Sequence, residues 1–363
     1  MITTTRRLAS TSFLTLATML ASAGPACADE KPPTKIEFKG WFSNPVFSAD
    51  GKTLIYGQMQ DIPFGARTGP TQVVFRSVGG KEIRRFDGPA DDSLIGTLAV
   101  SPDGKHLGMV LWNTAVRLME ADKGKELGKP EGSQGAQHLC FSPDGRAIGW
   151  IRDGDIRIAD AATAKELHRI VKEAGAPAMA LDFIDGGKNI VAGYIVTKGM
   201  GGGKNPVLDH QVSFWVRDPA SGKKLHQIGE TVTETRKRLE GMPTASLFLS
   251  ADGKTAAIAG DRGVIQMCDA ATGKKDKEIP APWKSAANDP IRKLAFSGNL
   301  KVAAITTAQG TVTVWDVPAG KELQRIETGQ SLDHVVLSPD GKTLAITHQT
   351  PGRIGAVLLI YAR

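Results

Sequence analysis

Apolar and polar positions alternate along this chain in short runs, each closed by a cluster of turn-forming residues. The pattern is plainest near the C-terminus, where Asp333-His334-Val335-Val336-Leu337-Ser338 and Thr343-Leu344-Ala345-Ile346-Thr347 flank Pro339-Asp340-Gly341-Lys342. Alternating runs of this length, rich in β-branched residues, predict strands. The tetrapeptide between them predicts a tight turn, because Pro fixes φ, Asp bonds to nearby backbone and Gly admits positive φ. Upstream, Gly310-Thr311-Val312-Thr313-Val314-Trp315-Asp316, the turn Val317-Pro318-Ala319-Gly320-Lys321 and Glu322-Leu323-Gln324-Arg325-Ile326 supply a third and a fourth strand. The predicted unit is a four-stranded antiparallel meander.

The unit recurs. The phrase Ser-(Ala/Pro)-Asp-Gly-(Lys/Arg) stands at 48–52, 101–105, 142–146, 250–254 and 338–342, and weaker copies at 184–188 and 297–301 bring the count to seven. A period of roughly 40–50 residues, with units too small to bury their own apolar faces, marks a stacked or circular repeat array. Such an array grows as one body, so 363 residues need not mean several domains. Gly 41 and Pro 20 against 6% aromatic residues suit many short strands joined by tight bends.

Ser-Pro-Asp-Gly-Lys between the first two strands, and Val-Trp-Asp followed by Gly-Lys-x-Leu after the third, resemble the WD-repeat (WD40) family from about residue 35 to the C-terminus. At the position of Trp315 the other repeats show Phe75, Met119, Ala159, Trp215 and Cys268. At that of Asp316 they keep Glu120, Asp160 and Asp269. The Gly-His pair of the family is missing, so its buried His-centred hydrogen-bond network is expected to be absent or rebuilt. The resemblance implies an all-β, seven-bladed β-propeller of four-stranded antiparallel blades. It also implies that Lys35-Ile36-Glu37-Phe38 completes the last blade, which otherwise ends at its third strand, 357–361, and so removes an exposed edge.

The same resemblance sorts the loops. Those joining strands one to two and three to four are short here and open on one face. On the other face residues 61–68, 197–210, 231–245 and 280–290 form long connections. Long loops on rigid scaffolds are where function concentrates. The partner-binding candidates on that face are Phe64, Arg67, Trp112, Lys198, Met200, Lys204, His210, Arg236, Lys237, Arg238, Trp283, Lys284 and Arg353, because aromatic, Met and Arg side chains favour interfaces.

Residues 1–28 read as a cleaved export signal: Arg6 and Arg7, an apolar stretch over 8–23, and Ala26-Cys27-Ala28 before Asp29. The mature chain, 29–363, is then expected outside the cytoplasm, periplasmic or extracellular, with no membrane segment. It keeps Cys140 and Cys268, expected as buried small hydrophobes too far apart to bridge. Removing Arg6 and Arg7 lowers the formal charge from +7 to +5. The basic residue of each turn, Lys52, Lys105, Arg146, Lys188, Lys254, Lys301 and Lys342, then rings the short-loop face and could attract anionic ligands.

Chemical motifs are weak. Gly199-Met200-Gly201-Gly202-Gly203-Lys204 lacks the first Gly and the Ser or Thr of a phosphate loop, and it has no strand-to-helix context. The seven His residues never take metal-ligand spacing, and no nucleophile–base arrangement stands out. The expected function is that of an exported, non-catalytic, monomeric scaffold that binds a protein or peptide on the long-loop face, with no cofactor, metal or nucleic acid. A propeller-type hydrolase (lactonase or phosphoesterase) and an envelope module for anionic ligands are the alternatives.

Overall fold

The repeated turn works as a small hydrogen-bonded machine. In Ser48–Asp50, Ser101–Asp103, Ser142–Asp144, Ser250–Asp252 and Ser338–Asp340 the hydroxyl donates to the carboxylate Oδ1 over 2.6 Å. The same oxygen accepts the backbone N–H of the following Lys or Arg at 3.0 Å. The Ser Oγ in turn accepts the N–H that opens the next strand, as from Thr343 at 2.9 Å. The intervening glycine takes positive φ, 70° at Gly51 and 72° at Gly341. In the sixth copy Asn299 does the work of the Asp, and Leu300 adopts φ 58° in place of glycine. The fourth copy tightens into a 3₁₀ turn, Asp185–Gly187.

These bonds hold the carboxyls of Asp50, Asp103, Asp144, Asp252 and Asp340 below their ordinary range, chiefly through the serine hydroxyl. A depressed folded-state pKa gives stability that is present above the ordinary carboxylate value and lost as pH falls through the folded one. Thermal midpoints are therefore expected to drop below about pH 4. Replacing Asp50, Asp103, Asp144, Asp252 and Asp340 together by Asn, which copies the uncharged turn of Asn299, should make that acid slope shallower; an unchanged slope would count against the turn carboxylates as a source of it.

The computed structural model describes residues 32–40, 42–59, 71–89, 94–111, 115–200, 207–237, 245–260, 263–284, 286, 288–349 and 355–362. Strand β1 is Thr34–Lys39. Blade one holds β2 to β5: Val46–Phe47, Thr53–Gln58, Gln72–Ser77 and Glu82–Asp87. Blade two holds β6 to β9: Ile95–Val100, His106–Leu111, Val116–Glu120 and Glu126–Gly128. Blade three holds β10 to β13: Gln137–Phe141, Ala147–Arg152, Asp155–Asp160 and Glu166–Ile170. Blade four holds β14 to β17: Ala178–Ile184, Asn189–Met200, Val207–Arg217 and Lys224–Lys237. Blade five holds β18 to β21: Ser246–Leu249, Thr255–Ala259, Val264–Asp269 and Lys275–Pro280. Blade six holds β22 to β25: Ile291–Phe296, Val302–Thr307, Thr311–Asp316 and Lys321–Glu327. Blade seven runs β26 (His334–Leu337), β27 (Thr343–Gln349), β28 (Gly355–Ala362) and then β1. Every pairing is antiparallel, and Thr34 lies opposite Ile360.

Second strands are buried on both faces, as in β7 and β23, because a blade is covered on either side by its neighbours. Outer strands alternate instead, as in β5. One apolar cluster fills each seam. Ile55, Val73 and Phe75 meet Ile95, Leu107 and Met109 between blades one and two, and Ala304, Val312 and Val314 meet Leu337, Leu344 and Ile346 between six and seven. The ring closes between seven and one, where Phe38, Ala345 and Leu358 pack on Leu54, Tyr56 and Val74. Each fully buried side chain of this size contributes about 1.5–3 kcal/mol. Among the described residues no helix is long and apolar enough to cross a membrane.

One expectation is corrected. A bulge in the third strand shifts the register between Phe75 and Arg76 and between Val216 and Arg217, as it does between Val314 and Trp315. The residues structurally equivalent to Trp315 are therefore Arg76 and Arg217, not Phe75 and Trp215. Both arginines donate Nη1 to a turn carbonyl, Gly80 at 2.6 Å and Gly222 at 2.8 Å. Arg76 also donates Nε to Tyr56 Oη at 2.9 Å and pairs with Glu82. Arg217 pairs with Glu173 and lies over the Tyr194 ring. Planar, fork-shaped guanidinium groups here fill the place of an indole. The Trp315 indole itself donates to Thr313 Oγ1 at 2.9 Å, while the buried hydroxyls of Thr306 and Thr347 have no partner among the described residues. Cys140 and Cys268 are both unbridged and belong to different seams. Burial pushes both thiols up, Cys268 to about 11.

Candidate functional site

Blade four departs from the others. Its β15, β16 and β17 have 12, 11 and 14 residues, against at most 8 in any other described strand. The innermost strand β14 stops pairing at Ala178 opposite Tyr194, so Ile195 to Met200 runs on beside β16 alone. Six residues at strand rise project about 20 Å. Residues 197–200, 207–210 and 231–237, within segments read from sequence as connections, are thus strand. The β-branched alternation of Thr231-Val232-Thr233-Glu234-Thr235 was the available signal.

The arm has two faces. On one, Ile195, Val212 and Val232 stand in register and pack with Ile258, Ala245 and Leu247 of blade five. Farther out on that face Thr197, His210 and Glu234 line up across the three strands. His210 is 3% exposed and Glu234 5%. His210 Nδ1 shares a proton with Thr197 Oγ1 at 2.9 Å, and Glu234 Oε1 accepts the N–H of Ala245 at 3.0 Å. These polar groups tie the arm together and anchor the chain entering blade five. A small cleft at the arm's root is lined by Val232, Glu234, Ala245, Ile258, Val264 and Gln266. The opposite face carries Val196, Lys198, Gln211, Asp209, Thr233 and Thr235. There Thr235 Oγ1 donates to Asp209 Oδ1 at 2.7 Å.

Four innermost strands are bulged at their N-terminal ends, the end from which the arm projects. The register shifts between Ile95 and Thr97, Gln137 and Leu139, Ala178 and Ala180, and Ile291 and Lys293. Bulges re-aim side chains; His138, at φ 52°, and Arg292 are the extra residues of two of them, and both are exposed. Nothing in the sequence marks these positions. Lys293 Nζ donates to the Asp333 carbonyl and approaches His334 Nδ1 at 3.4 Å, bridging blades six and seven. Burial lowers the Lys293 pKa, and burial beside that ammonium lowers His334 to about 3. In blade four, burial raises Asp182 to about 6.

Of the residues singled out from sequence, Lys198 and Lys284 are exposed. Arg236 stands opposite Leu208 in the arm. His210 is buried as described. Trp283 is core, 4% exposed, its Nε1 donating to the Gly260 carbonyl at 3.2 Å and its ring set edge-on to Phe296. Phe64, Arg67, Trp112, Lys204, Arg238 and Arg353 lie outside the described residues. On the short-loop face every one of the seven turn cations is exposed, and Lys105 pairs with Asp103 at 3.4 Å. Among the described residues no three His, Cys, Asp or Glu side chains converge to hold a metal.

No protein-family model matches this sequence, and neither does any curated protein. Among solved structures 1503 chains match, a breadth that by itself says the likeness is one of architecture. They include the β-propeller domain of Cps50 (Swd1) from Myceliophteria thermophila, at a TM-score of 0.66 and 14% identity, covering 92% of this chain and 100% of that one. The chain is a seven-bladed, all-β propeller.

Proposed function

We propose that this protein is an exported, non-catalytic scaffold of WD-repeat type that holds a protein or peptide partner on its long-loop face. The observation that carries this reading is the asymmetry between the two faces. One is closed by short, internally bonded turns, while the other bears the bulged ends of four innermost strands and the arm of blade four. A rigid ring presenting one elaborated face suits recognition, since the residues that order the site are already fixed before a partner arrives. The export component rests on the N-terminal charged, apolar and small-residue pattern.

The test is cross-linking and capture of the tagged mature protein from its native cell envelope, beside a variant with the arm shortened. Thr197 and His210 face one another, so replacing 198–209 with Asn-Gly leaves a two-residue hairpin in register. A discrete partner, lost in the variant, is the expected result. Absence of any captured partner would overturn the scaffold reading.

A further inference from the structure

The inner edge of the arm is a strand edge with a vacancy for one more strand. Tyr194 is the last residue of β15 opposite β14, so among the described residues nothing pairs with the inner side of Ile195 to Met200. The edge lies on the channel side, because β15 is the innermost strand of the projecting part. Alternate backbone N–H and C=O groups along it are aimed away from β16, the arrangement that accepts an added strand. Its two faces differ in chemistry. On one side Ile195 continues the apolar seam and Thr197 follows it outward, whereas Val196 and the exposed Lys198 stand on the other. Among the described residues no carboxylate lies within ion-pair distance of Lys198, and Asp209, opposite it on β16, accepts the Thr235 hydroxyl.

We infer that this edge binds an extended peptide segment of alternating apolar and acidic residues, which adds to β15 as a new strand. The inference rests on the scaffold reading and names its mode and partner chemistry. Apolar side chains of the added strand continue the Ile195 face, and acidic ones meet Lys198 on the other, since side chains alternate between faces. A second copy of the chain is disfavoured as the occupant. Antiparallel pairing of two such edges centred on residue 198 brings two Lys198 ammonium groups together, and like charges across strands repel.

The experiment is fluorescence anisotropy of the full mature chain with a labelled eight-residue Val-Glu repeat and, separately, a Val-Lys repeat. The Val-Glu peptide is expected to bind at least tenfold more tightly, the preference to reverse in Lys198→Glu, and binding to vanish in the shortened-arm variant. Lys198 is exposed, so its substitution leaves the fold intact should the shortened variant fail. Equal binding of both peptides, no binding at millimolar peptide, retention by the shortened arm, or a peptide-free dimer that Lys198→Glu dissociates would overturn the inference. A captured partner indifferent to Lys198→Glu would remove the strand-addition mode and leave the scaffold reading standing; no partner at all would remove the scaffold.

Discussion

Deleting residues 32–39 is expected to abolish the single cooperative unfolding transition of the propeller. β1 is the outermost strand of blade seven and is hydrogen-bonded along its whole length to β28, so its loss strips the blade of a quarter of its sheet. It also removes Phe38, 6% exposed, which stacks on Phe42 at 4.8 Å between ring centres and meets Tyr56 edge-on at 5.4 Å. A ring of blades is stabilised at every seam, and opening one exposes both of its apolar faces and a bare strand edge. Phe38→Ala, which keeps the strand and empties the seam, should cost about 3–5 kcal/mol. Urea denaturation followed by tryptophan fluorescence checks both variants, and an unchanged midpoint in each would refute the closure as a source of stability.

The second large effect concerns two glycines of one blade. Gly310 has φ 89°, and a Cβ added there is driven into the Gln330 carbonyl oxygen. That approach is built into the seam: Thr328 donates both its N–H, at 3.1 Å, and its hydroxyl, at 2.7 Å, to the Gly310 carbonyl. Gly320 has φ 62° but open space around it. Gly320→Ala should therefore cost only the left-handed backbone penalty, about 1–2 kcal/mol. Gly310→Ala adds a displaced backbone carbonyl and its lost hydrogen bonds, about 3–5 kcal/mol in all. Thermal denaturation of the pair separates the contributions. Equal losses would mean that the carbonyl gives way freely.

Much of this architecture was legible because the turn chemistry is so local. Ser338, Asp340 and Gly341 bond among themselves and their immediate neighbours, so the phrase that recurs in sequence is also the unit that folds. The latch was legible in part: Lys35 to Phe38 alternates as a strand with no partner nearby in sequence, and its place beside the last blade is what the WD-repeat resemblance implies. What stayed hidden depends on shifts of one or two residues. The position equivalent to Trp315 falls on Arg76, one residue after Phe75, and on Arg217, two after Trp215, and an aromatic residue so near misdirects the alignment.

The candidate site was less readable. Composition makes residues 197–210 read as a loop, because Gly199 to Lys204 dominates them. The strands on either side of that glycine run are what give the arm its reach. His210 and Trp283 stand in segments that read as long connections, which makes them contact candidates. Burial of each is made possible by one specific acceptor, Thr197 Oγ1 and the Gly260 carbonyl, and nothing in the sequence announces either.

The pairing of β1 with β28 has a topological consequence. Thr34 faces Ile360, so the two described ends of the propeller meet within one sheet, in the order that a third and a fourth strand occupy in every other blade. Joining Ala362 to Thr34 through a Gly-Lys turn like that after Asp316 would make blade seven continuous and leave a backbone without ends. The chain is then free to be reopened at any blade-to-blade connection, and circular permutants sharing one tertiary structure but differing in where synthesis begins become accessible.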